Sequence, residues 1–110
     1  MQVFHVTTPE AWEAAQQAGA YTTSTRGRTL AEEGFVHCSA DHQVAGVRDR
    51  YFADLPELLL LEIDTDRLTS PWRVEEVPGS GESFPHVYGP VDLDAVTGVR
   101  PLRGAGEPWR

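Results

Sequence analysis

Lysine is absent from the chain, and all nine basic residues are arginines. Schiff-base chemistry and the phosphate-binding lysine of a P-loop are therefore excluded. Cysteine occurs once, as Cys38, so no internal disulfide can form, and its place in a strand predicts an inert buried thiol rather than a nucleophile. No apolar run approaches the roughly 20 residues that a membrane span needs, and the start, Met1-Gln2-Val3-Phe4-His5, lacks the basic opening of a signal peptide. A cytoplasmic protein without membrane contact is the expectation. Positive charge is scarce as well. A net charge of -8 with scattered arginines disfavours an extended nucleic-acid footprint, yet leaves room for a small anionic ligand in a local pocket.

What is present is an ordinary globular composition, 40% hydrophobic and 24% charged in 110 residues, enough for one core. Residues 3–6 alternate in strand fashion. Thr8 as N-cap, Pro9 in the first helical position and Gly19 as a stop then frame a helix whose inner face carries Trp12, Ala15 and Ala18. Thr29 and Glu32 have the spacing of a capping box, which predicts one helical turn ending at Gly34. Residues 35–39 read as a strand entering a helix near Ala40, with Ser39 as its N-cap and with Val44, Val47 and Tyr51 at helical spacing. Residues 58–64, rich in leucine, have the length of a core strand buried on both faces. Residues 72–77 form a further strand, and Pro85 and Pro90 argue that residues 84–90 supply a short or edge strand. Residues 91–99 supply the last strand. One domain over residues 1–100 is expected, followed by a loosely held tail over 101–110 that is rich in Gly, Pro and Arg.

Three histidines share one local pattern, each with a hydroxyl residue two positions on: His5 and Thr7, His37 and Ser39, His86 and Tyr88. Two apart on a strand means one face, so neighbouring strands can build a patch of imidazoles and hydroxyls that binds ribose, phosphate or a carbonyl. Any single histidine is as well explained by partial exposure or a bond to a backbone carbonyl; the repetition is what points to a shared site. His5, His37, Cys38, His42 and His86 are also possible zinc ligands, but no pair has a metal-binding spacing, so no metal is expected. Ser39 lacks the surroundings of a nucleophile elbow.

The segments Glu33-Gly34-Phe35-Val36-His37-Cys38-Ser39 and Phe84-Pro85-His86-Val87-Tyr88-Gly89-Pro90, with His5 and Trp12, resemble the bacterial domain-of-unknown-function family 952 over about residues 2–100. The resemblance implies an α+β domain of ADP-ribosyltransferase-like fold, with a split, mostly antiparallel sheet and two main helices, distantly similar to RNA 2'-phosphotransferases. It also implies that His5 contacts the ribose of NAD or an ADP-ribose-like ligand. The late-strand catalytic glutamate of that fold has only Glu82 as a loose counterpart. Together these readings give an enzyme acting on NAD, ADP-ribose or a related phosphorylated nucleoside, of ADP-ribosyl- or phosphoryl-transferase type. His37 and His86 are its catalytic residues, and His5, Thr7, Ser39 and Tyr88 bind its ligand. The alternatives are a non-catalytic module binding a small ligand or a protein and, more weakly, a metal-dependent hydrolase.

Overall fold

Thr8 stops the first strand and starts the first helix in the computed structural model, which describes residues 1–109. Strand β1 spans Gln2–Thr7 and helix α1 spans Pro9–Ala18. The Thr8 hydroxyl accepts from the Ala11 N–H at 3.2 Å, Pro9 needs no partner in the first turn, and left-handed Gly19 closes the helix on the Ala15 carbonyl. Short strands β2 (Ala20–Tyr21), β3 (Thr23–Thr25) and β4 (Arg28–Thr29) lead to the single-turn helix α2 (Leu30–Glu33) and to β5 (Val36–His37). Then follow α3 (Val44–Tyr51), β6 (Leu58–Asp64), β7 (Trp72–Val77), β8 (Glu82–Val87), β9 (Val91–Asp92) and β10 (Val96–Leu102).

Two three-stranded antiparallel sheets carry the architecture, ordered β1-β6-β10 and β5-β8-β7. They meet where Phe4 and Ser39 exchange backbone hydrogen bonds of 2.8 and 2.7 Å. The central strand β6 is apolar on both faces because both are covered. Leu61 and Ile63 pack with Val3, Val36, Val87 and Ala15 of α1, between the two sheets; Leu58 and Leu60 pack with Phe4, Val6, Val44 and Phe52 on the α3 side. The fold is thus α+β with antiparallel sheets and three helices, of which α1 and α3 are the longer.

Several sequence expectations change. Ser39 is not an N-cap: its backbone is committed to Phe4, a 3-10 turn over Asp41–Gln43 intervenes, and the Gln43 side chain accepts from the Ala40 N–H at 2.9 Å instead. Pro85 lies in β8, the middle strand of its sheet rather than an edge. It is tolerated because β5 ends at His37: the Pro85 carbonyl accepts from Cys38 at 2.9 Å, and no further ladder bond requires the missing N–H. On α1 the inward positions are Ala11, Trp12 and Ala15, while Ala18 is exposed. On α3 Tyr51 is exposed, and Arg48 is buried to 1% with its guanidinium on Asp49 and the Arg103 carbonyl. The last strand begins at Val96 and runs past residue 100 to Leu102, and Trp109 sets its ring edge-on against Phe4 at 5.5 Å, so Leu102 and Trp109 pack on the core while residues 103–108 between them are exposed. No helix among the described residues is long and apolar enough to cross a membrane.

Candidate functional site

The capping box of α2 is formed: Thr29 N–H donates to Glu32 at 2.9 Å, and Glu32 N–H donates to the Thr29 hydroxyl at 3.2 Å. Gly34 then turns the chain through a left-handed φ of 88° into β5. The turn brings Glu33 back over His37. One Glu33 oxygen accepts from Arg28 at 2.8 and 3.0 Å, and the other lies 3.4 Å from His37 Nε2. Arg28 first, then His37, hold the Glu33 carboxyl below its ordinary range. Partial burial lowers the His37 pKa, opposed by Glu33 and assisted by His86, so the ring is mainly neutral at pH 7. Its side chain remains 33% exposed.

Period-two alternation puts His37 of β5, with Phe35 just before it, on one face of the second sheet, with Phe84 and His86 of β8, Tyr88 just after that strand, and Arg73 and Glu75 of β7 beside them. His37 and His86 are registered neighbours, their rings edge-to-face at 5.2 Å. His86 is 4% exposed, its Nδ1 2.9 Å from Glu75 Oε1, and its Nε2 is buried without a hydrogen-bond partner among the described residues. The Tyr88 hydroxyl donates to the same Glu75 oxygen, and the Arg73 guanidinium lies 4.7 Å over the Tyr88 ring. The Tyr88 bond and then His86 depress the Glu75 pKa, and Glu75 in turn raises that of Tyr88. Phe35 stacks on His86 at 4.1 Å.

His5 and Thr7 stand apart from that face. His5 is 2% exposed, with Nδ1 at 2.5 Å from the His37 carbonyl and Nε2 at 2.7 Å from the Tyr21 hydroxyl, which is itself 2.7 Å from that of Thr7. A carbonyl only accepts, so Nδ1 carries the proton of a neutral ring, Tyr21 donates to Nε2 and Thr7 donates to Tyr21. Burial holds the His5 pKa down to about 4 and that of Tyr21 well above its ordinary value. The three histidines therefore divide: His37, His86 and Tyr88 come together, whereas His5 and Thr7 form an interior chain with Tyr21 that touches His37 only through its backbone. Ser39 is buried at the junction of the sheets.

A cleft of about 400 Å³ opens beside His37. It is lined by Glu33, His37 and Cys38, by Val47, Arg50 and Tyr51 of α3, and by Val77, Phe84 and Arg26. Arg26 is clasped by Asp54 and the Tyr51 carbonyl. The Arg50 side chain is exposed. Burial pushes the Cys38 thiol up to about 12, which leaves it a packing group. Among the described residues no three His, Cys, Asp or Glu side chains converge in a way that holds a metal ion.

Sequence reasoning missed Glu33, Glu75 and Tyr21. Glu33 was legible in principle, four residues before His37 across a glycine turn; Glu75 depends on the β7–β8 register, which alternation alone does not supply.

The fold and this site define a class: a small α+β protein whose second sheet presents carboxylate-paired histidines beside a mainly apolar cleft. The chain belongs to the family described as "Protein of unknown function (DUF952)", which matches residues 6–99. Protein CC0527 from Caulobacter crescentus, a structural-genomics target, has a similar structure. Its crystal structure is 26% identical, with 94% of this chain and 87% of that one covered and a TM-score of 0.81. Its solution structure is 27% identical, with 92% and 84% covered and a TM-score of 0.74. No curated protein matches the sequence.

Proposed function

We propose that this protein is an enzyme acting on NAD, ADP-ribose or a related phosphorylated nucleoside in the cleft beside His37. The observation that carries the reading is His37 itself: neutral, one-third exposed, on the wall of the cleft and steered by the Glu33 carboxylate. A neutral imidazole within reach of ligand is suited to general acid–base work. Val47, Tyr51 and Phe84 offer apolar surface to a planar ring, and Arg50 offers charge to a phosphate. The pairing of two three-stranded sheets at Phe4 and Ser39 supports the ADP-ribosyltransferase-like reading of a split sheet. No metal enters this chemistry.

One observation favours the non-catalytic binding module instead. His5, to which the resemblance assigns ribose contact, and Thr7, expected beside it as a ligand-binding hydroxyl, have their hydrogen bonds taken up by Tyr21 and the His37 carbonyl. A melting-temperature screen over NAD, ADP-ribose, nucleotides and cyclic phosphates finds the ligand, because a molecule bound only by the native state stabilises it. His37→Gln should then lower turnover by roughly 100-fold or more while leaving affinity within a few-fold. Binding without consumption by the wild type gives the answer to the module, and no stabilisation by any member of the panel defeats both the enzyme and a module for these small ligands.

A further inference from the structure

The second imidazole of the face is held in an unusual condition. Buried polar atoms are nearly always hydrogen-bonded, yet His86 Nε2 has no partner among the described residues, in a side chain only 5% exposed. Its other nitrogen is engaged. Glu75 is a carboxylate, kept so by Tyr88 and His86, and can only accept; Nδ1 therefore carries the proton, and in a neutral ring Nε2 is a bare lone pair. Tyr88 fixes Glu75 from the other side by donating to the same oxygen. The lone pair is thus oriented through two side chains and left unused.

Phe35 covers this imidazole. Its ring lies over His86 with an interplanar angle of 24°, touches His37 at 4.6 Å and Tyr88 at 5.4 Å, and is itself only half-buried. It sits in the bend between α2 and β5, next to Gly34, outside both elements. Reorientation of such a side chain breaks no backbone hydrogen bond. His37, in edge contact with His86, lines the cleft, so the His86 ring, which is not itself part of the lining, stands directly behind a residue of the cleft wall.

We propose that His86, oriented by Glu75 with its Nε2 bare, is a second proton acceptor of this cleft, and that Phe35 is a movable cover which a ligand displaces to reach it. The inference rests on the reading of the cleft as a site of proton transfer. The group it takes is a hydroxyl, of the ligand or of water. The proton passes to Nε2, the electron pair stays on oxygen, and the imidazolium so formed is paired with the Glu75 carboxylate already at its Nδ1. Glu75 is then a positioning residue and His86 the catalytic one.

Two measurements on the whole 110-residue chain test this without a known substrate. Long-range proton–nitrogen NMR at pH 7 should show His86 with a protonated Nδ1 and a bare Nε2, and Glu75→Met, which removes the acceptor, should move the proton to Nε2. Glu75→Asp should restore the wild-type tautomer in part. Diethyl pyrocarbonate, which acylates bare imidazole nitrogens, should modify exposed His42 readily and His86 slowly. Phe35→Ala should raise the His86 rate by about tenfold or more, and Phe35→Leu by less. A wild-type Nε2 that carries the proton overturns the dyad. A His86 that stays protected in both Phe35 variants, or reacts like His42 in the wild type, overturns the cover. An empty ligand screen defeats the enzyme reading but leaves both measurements decisive for His86 and Phe35.

Discussion

Burial keeps His5 neutral, and that neutrality makes the fold sensitive to acid. The ring titrates near pH 6.5 in the unfolded chain and near pH 4 when folded. The unfolded state therefore binds the extra proton between those values, so stability is full above pH 6.5 and falls as the pH drops toward 4. For a shift of this size the loss is about 3 kcal/mol. Urea midpoints of the wild type should fall more steeply over that window than those of His5→Gln, which has nothing to titrate there; parallel slopes would show that His5 takes its proton without opposing the fold. His37, depressed mainly by partial burial, adds to the slope in the same direction. Cys38 sits at the same scale: with the thiol pushed up to about 12, a disulfide reagent should leave it untouched at pH 8 until the chain is unfolded.

Helix α2 is a single turn, yet it decides where Glu33 stands relative to His37. Thr29→Ala removes the accepting half of its capping box and should cost about 1 kcal/mol. Gly34→Ala forces a Cβ into a left-handed position and should cost roughly 1–2 kcal/mol. Both should broaden or shift the His37 ring resonances, while a mutation on the far side of α1, such as Gln16→Ala, should not. Elements of this kind were the most legible in the sequence. Capping residues, the alternation of β1 and the apolar run of β6 are local signals, and each appears in the structure at or near its expected place. The misreadings arise where a distant partner decides. Ser39 has the chemistry of an N-cap, but Phe4 claims its backbone; Pro85 has the chemistry of an edge, but the shortness of β5 spares it. The candidate site shows the same division. The face shared by His37, His86 and Tyr88 follows from strand alternation, whereas the inward turn of His5 depends on Tyr21 lying across from it, and Glu75 reaches His86 only through the register of a hairpin.

At the scale of the whole molecule, the segment after Leu102 closes one side of the core. Trp109 contacts Phe4 and lies under Arg100 at 5.3 Å, and the Arg103 carbonyl accepts from buried Arg48. Truncation after Leu102 should lower stability by about 2 kcal/mol or more, because it uncovers aromatic surface and strips a partner from a buried charge. Equilibrium unfolding in urea measures the change, and a truncated chain as stable as the full one would mean that these contacts merely decorate the fold. Exhaustive dialysis against a chelator should leave the melting temperature unmoved, and a large drop would reinstate the metal-dependent reading. The placing of the first and last strands has a mechanical consequence. β1 and β10 flank β6 and run in the same direction, Gln2 opposite Asp64 and Leu102 opposite Leu58. A force applied at the two termini therefore peels off the Trp109 segment and then drags β1 and β10 in opposite senses along β6. Ladder bonds perpendicular to the strands are loaded together in that geometry instead of being unzipped one by one. A chain stretched between its ends should give way at a single high-force rupture, and one pulled across the β7–β8 hairpin should yield gradually.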